Sequence, residues 1–95
     1  MKFKEFRKYV SKIDRVSICN HDTLRYENYQ FIELVPDTYD EMYLYGVGRI
    51  QSEFPAKEAL DVVARMDERP DDDEIIYAEC IEIMLSEKPR DFDNE

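Results

Sequence analysis

A nucleophile–base pair needs an imidazole or its equivalent beside a thiol or hydroxyl. The chain carries one histidine, His21, and two cysteines, Cys19 and Cys80. Cys19 stands two residues before His21, so on a straight strand the thiol and the imidazole would share a face. The surrounding run Asn20-His21-Asp22-Thr23 consists of turn formers, and a histidine in a polar turn is ordinarily solvated. Neither cysteine has a CxxC spacing or a second soft ligand nearby, which argues against structural zinc. Two reduced thiols serving as small buried hydrophobes are expected instead.

Metal and carboxylate chemistry fare no better. A calcium loop needs acids at alternating positions, a glycine at the sixth and a glutamate at the twelfth. Counted from Asp67, Arg69 takes the third position; counted from Asp71, Ile75 and Ile76 take the fifth and sixth. His21 with Asp22 supplies two ligands at most. Twenty-three carboxylates make some close pair inevitable, so proximity alone says nothing about glycosidase-like chemistry. The expectation is a protein that is not an enzyme and uses no cofactor or metal.

What remains is surface. The net charge is −10, and it is unevenly spread. Residues 1–15 hold six basic side chains against two acidic, a local +4, and residues 16–95 hold seven against 21, a local −14. Such a field disfavours direct contact with nucleic acid or an anionic membrane and attracts a basic protein surface. Asp67, Glu68, Asp71, Asp72, Asp73, Glu74, Glu79 and Glu82 form the candidate acidic row. If they line adjoining helices they imitate the phosphate spacing of duplex DNA, and the partner becomes a nucleic-acid-binding protein. Tyr26, Tyr29, Tyr39, Tyr43 and Tyr45 fall within twenty residues of one another, and tyrosine is enriched at interface hot spots. Some of these rings must complete the core of a domain that lacks tryptophan.

The elements that would position these groups follow from periodicity. Phe3, Phe6, Val10 and Ile13 predict an amphipathic N-terminal helix, its lysines loosely paired with the acidic body. Arg15 to Cys19 and Leu24 to Phe31 read as a hairpin around the turn Asn20–Thr23, with a bulge or a second tight turn at Glu27-Asn28 where the apolar phase switches. Pro36 and the acids after it suit one helical turn. Met42 to Ile50 reads as a core strand containing both glycines of the chain, Gly46 and Gly48. Its even face would be apolar, and its odd face would present Tyr43, Tyr45 and Arg49. The glycines predict a helix crossing close to the backbone, with a bulge as the competing account. They do not form a nucleotide loop, because position 51 is glutamine. Ser52 to Pro55 opens a helix with the stripe Ala56, Leu60, Val63 and Met66. Asp71 to Glu74 caps a last helix with Ile76, Cys80, Ile83 and Met84 facing inward, because a strand there would put glutamates on both faces.

The predicted fold is therefore α+β: a three-stranded antiparallel meander with an N-terminal helix and two C-terminal helices. Residues 1–88 make one domain, and residues 89–95 make a frayed acidic tail. No apolar run approaches a membrane span, and the N-terminus is not a secretory signal, so the expected location is the cytoplasm. The functional expectation is a non-catalytic acidic binding module, an adaptor or inhibitor acting on a basic protein surface. Tyr43, Tyr45 and Arg49 and the acidic row are its candidate contacts. A structural subunit or homodimer is the alternative, and a small enzyme a distant one.

Overall fold

The computed structural model describes residues 1–89. The tail expected over 89–95 lies outside the described residues except for Pro89. Four strands, β1 (Val16–Asn20), β2 (Arg25–Tyr29), β3 (Tyr43–Pro55) and β4 (Ile75–Ser86), form one sheet in the order β2-β1-β4-β3. The outer pairs are antiparallel, and β1 and β4 run parallel. The predicted meander is thus replaced by a mixed sheet whose inner strands are the first and the last.

The largest correction is β4, where a helix was expected. Its buried apolar positions are Ile76, Ala78 and Cys80, then Ile83 and Leu85. The buried face therefore switches from even to odd midway, and the switch leaves Ile76, Cys80 and Ile83 at helical spacing. Its cause is visible in the packing. On the front face Phe3, Val10, Val16, Ile18, Ile32, Val35, Ile83 and Leu85 form one core. On the back face, toward the other end of the ribbon, Phe54, Ala56, Ala59, Val63, Ile76, Ala78 and Cys80 form a second. Four isoleucines in β4 suit a strand that passes from one core to the other. Glu79 and Glu82 do fall on opposite faces, and both are tolerated because each lies where its own face is not fully covered.

The flanking helices shrink accordingly. Helix α1 (Phe3–Phe6) is one turn, followed by a 3-10 turn at Arg7–Tyr9. Phe3 and Val10 are buried as the stripe predicts, but Ile13 is 83% exposed. Past Pro55 a 3-10 turn (Ala56–Glu58) and one turn of helix α2 (Leu60–Val63) replace the long second helix. Leu60 and Met66 are left exposed. The hairpin β1–β2 forms with an unbroken register and no bulge at Glu27-Asn28. Its turn holds Leu24 at φ 59°, a left-handed conformation unusual for leucine.

The bulge lies instead at Tyr45, between the pairs Leu44–Leu85 and Gly46–Met84. It shifts the phase of the strand, so Leu44, Val47 and Arg49 share the front face while Tyr43, Gly46 and Gly48 share the back. Among the described residues no helix crosses the glycines. A Cβ on Gly46 would meet Met84 Sδ at 3.9 Å, and one on Gly48 would meet nothing within 4 Å.

The ribbon β3–β4 gives the molecule its long dimension, 53 Å against 24 and 20 Å. Its far half bends back. Asn28 Nδ2 on β2 donates to Ser52 Oγ and to the Glu53 carbonyl, both at 2.9 Å. Since β2 and β3 are opposite edges of the sheet, they meet only because it curls. β1 sits inside the curl, with Val16 to Cys19 buried on both faces.

Candidate functional site

Five of the six N-terminal bases are consumed internally, Lys8 being the exception among the described residues. Lys2 and Lys4 hold the Glu41 carboxylate at 2.7 and 2.9 Å, and Arg7 binds Asp40 at 2.7 Å. Lys12 reaches Glu33, and Arg15 binds Asp61 through both terminal nitrogens at 2.7 and 3.2 Å. The two ammonium groups at Glu41 hold its carboxyl at about 2, and the Arg15 guanidinium holds Asp61 below the usual carboxylate range. Arg15 also donates Nε–H to the Glu79 carbonyl and lies over the Phe54 ring. It therefore ties β1 to the second core as well as to α2.

The densest run of acids lies at the far end of the ribbon. Residues 67–74 carry six acids and one base, and all six carboxylate residues are exposed. Lys57 pairs with Asp73 at 2.9 Å and Arg69 with Asp72 at 3.9 Å. Asp67, Glu68, Asp71 and Glu74 have no ion pair among the described residues. The expected row is not continuous, however. Its first six members lie in the loop before β4, Glu79 pairs with Arg49 on the front face at 3.2 Å, and Glu82 lies on the back.

The tyrosines divide. Tyr29 and Tyr39 pack on the first core, where burial first, then Tyr39, pushes the Tyr29 phenol up to about 12. Tyr43 lies under the Lys2 ammonium at 5.7 Å, and Tyr45 stacks on His21 with ring centroids 4.6 Å apart. Tyr26 is half exposed and donates to Glu82 at 3.2 Å. The Cys19 thiol across the ladder, then Glu82, push that phenol to about 12. Tyr43, Tyr45 and Arg49 therefore do not make one surface. The exposed rings Tyr9 and Tyr77 lay outside the cluster seen in the sequence.

Cys19 and His21 are also separated: the thiol is buried against Tyr26, while the imidazole stacks on Tyr45. Asp22 turns to Ser86 instead, accepting its Oγ–H at 2.8 Å and the Glu87 N–H at 3.1 Å; these two bonds lower its pKa. Cys80 is buried in the second core, which raises its thiol pKa. Among the described residues no three His, Cys, Asp or Glu side chains form a group that could hold a metal. A groove of about 440 Å³ brings Arg15, Arg49 and Arg65 beside Asp61 and Glu79. Its charges largely neutralise one another.

The feature that sequence reasoning missed is the outer edge of β3. The N-terminal segment covers its start, with Leu44 N–H donating to the Met1 carbonyl and Phe3 N–H to that of Met42. Asn28 reaches its far end at Glu53. Ladder groups point outward at every second residue, so the outward Glu53 carbonyl places the N–H and C=O groups of Val47, Arg49 and Gln51 on the same open side. None of these has a partner among the described residues, and all three residues are exposed. The signal available in the sequence was Pro55, a residue tolerated on an edge where no ladder donor is needed.

Among the described residues no helix is long and apolar enough to cross a membrane. Compared with known proteins, the chain matches no family model, no curated protein and no solved structure.

Proposed function

We propose that the protein is a non-catalytic binding module that docks an extended segment of a basic protein along the open edge of β3. One observation carries the reading: Val47, Arg49 and Gln51 present a row of unpaired main-chain donors and acceptors. An edge of this kind is a template for strand addition, in which main-chain bonds supply affinity and alternate side chains supply selectivity. The net charge of −10 selects the sign of the partner, with the exposed acidic run 67–74 at the end of the same ribbon as the electrostatic lure. Nucleic-acid mimicry is not part of the proposal, because its carboxylates fall on separate surfaces.

The test uses the full chain, isotope-labelled, and the capped heptapeptide Thr-Val-Thr-Lys-Thr-Val-Thr followed by NMR. Binding should move the amides of Val47, Arg49 and Gln51 first and slow their exchange, and it should weaken as salt rises. Val47→Pro removes an outward donor without touching the inner ladder and should abolish the protection. Shifts confined to other surfaces, or binding indifferent to both salt and Val47→Pro, would sink the reading. A second copy is the competing occupant of the edge. Light scattering that showed a dimer without peptide, lost in Val47→Pro, would transfer the edge to self-association.

A further inference from the structure

The two glycines beside this edge define what the added strand must carry. Gly48 pairs with Glu82 and Gly46 with Met84. Both glycines point to the back face, where neither presents a side chain, and a Cβ at Gly48 would stand in open space. Because Gly48 bonds inward to β4, a residue added opposite it occupies the closer, non-hydrogen-bonded type of pair. The Cα atoms of that residue and of Glu82 would then lie about 10 Å apart across bare glycine backbone. A lysine or arginine reaching inward and a glutamate reaching outward close that distance.

Glu82 is suited to this role. It has no cation partner among the described residues, is partly exposed, and is oriented by the Tyr26 hydroxyl. One step along, a side chain opposite Gly46 would lie over the Met84 thioether, a soft apolar surface. We propose that the glycine gap is a specificity corridor. It selects an extended partner segment with an apolar residue opposite Gly46 and, two positions away, a lysine or arginine that pairs with Glu82. This rests on the strand-addition reading and sharpens it from a general preference for basic partners to a spaced pair of side chains.

The same heptapeptide tests it, because its palindromic order puts a valine opposite Gly46 in either strand direction once its lysine is opposite Gly48, and it then reaches Gln51 without overlapping the segment that covers Leu44. Glu82→Gln should weaken binding about three- to fivefold, the range of a partly exposed ion pair. Gly48→Leu, which fills the corridor, should weaken it about tenfold while leaving the inner ladder intact. Replacing the peptide lysine by glutamate should abolish binding to the parent chain and restore binding to Glu82→Lys. Protection of Val47, Arg49 and Gln51 in every variant with unchanged affinity would overturn the corridor and leave strand addition standing. Loss of that protection in the parent chain would overturn both. If Gly48→Leu fails to fold, the Glu82→Lys charge exchange decides alone, since Glu82 lies on the surface and the swap removes no core contact.

Discussion

The two cores differ in how they are closed. The front core is built from large side chains and strapped by the N-terminal segment, whose Lys2, Lys4 and Arg7 grip Glu41 and Asp40. The back core has three alanines, a cysteine and one aromatic ring, Phe54. Its lid is one turn of helix, and its seal is Arg15. A core of small residues lets the ribbon bend close to its lid, but it concentrates the apolar burial on few side chains. The stretch of ribbon between the cores has no cover over Gly48, and there the open edge lies.

Truncation should separate the two most strongly. Phe3 and Phe54 are both fully buried, and Phe→Ala at either should cost about 3–5 kcal/mol. If the cores form one cooperative unit, both variants unfold in one step by fluorescence and by far-ultraviolet dichroism. Phe54→Ala giving two separate transitions, with the front core unfolding at its parent midpoint, would divide the domain into two.

Arg15 is the next lever. Its side chain is 13% exposed and makes three charge-assisted bonds, two to Asp61 and one to the Glu79 carbonyl. Arg15→Met keeps the packing over Phe54 and should cost about 2 kcal/mol, seen as a lower urea midpoint. An unchanged midpoint would show that the lid is held by Val63 and Ala59 without the seal.

Acid should act on both cores through their straps. Glu41 is held at about 2 against an ordinary 4.5, while Asp61 and Asp22 are lowered from 3.8. A lowered folded-state value means stability that is complete above the ordinary range and lost as pH falls through the lowered one. Thermal stability should therefore drop between about pH 4.5 and pH 2. Lys2→Gln with Lys4→Gln removes the Glu41 share and should flatten that decline; an equally steep decline would assign it to Asp61 and Asp22.

How much of this was legible in the sequence follows from where local pattern and tertiary context agreed. Val16 to Asn20 and the returning β2 obey a period of two around a polar turn, and the hairpin was readable. Phe3 and Val10 signalled burial correctly, yet one turn of helix suffices to deliver them. β4 was illegible because its buried face switches between two cores, a fact of packing that imitates helical spacing. The faces of β3 were mixed by a one-residue bulge at Tyr45, which puts Leu44 with Val47 and Arg49 and which no composition signal marks. As for the candidate contacts, the acids of 67–74 are exposed, whereas Tyr43, Tyr45 and Arg49 do not share one surface. The open edge depended on strand order, which the sequence did not disclose.

Hairpin and ribbon each contain a backbone choice that the fold does not require. Leu24, exposed at φ 59°, should gain about 1 kcal/mol when replaced by glycine, read as a higher melting temperature. Gly48 is the converse case. A glycine inside a strand sacrifices about 0.5–1 kcal/mol against alanine, and here neither a close neighbour nor a left-handed φ demands it. Gly48→Ala should then stabilise the protein by about 0.5 kcal/mol in urea unfolding while narrowing the path to Glu82. A gain in stability coupled to weaker peptide binding is the signature of a residue kept for what passes over it. Gain without loss of binding would mean that the ribbon between the cores is bare for some reason other than the corridor.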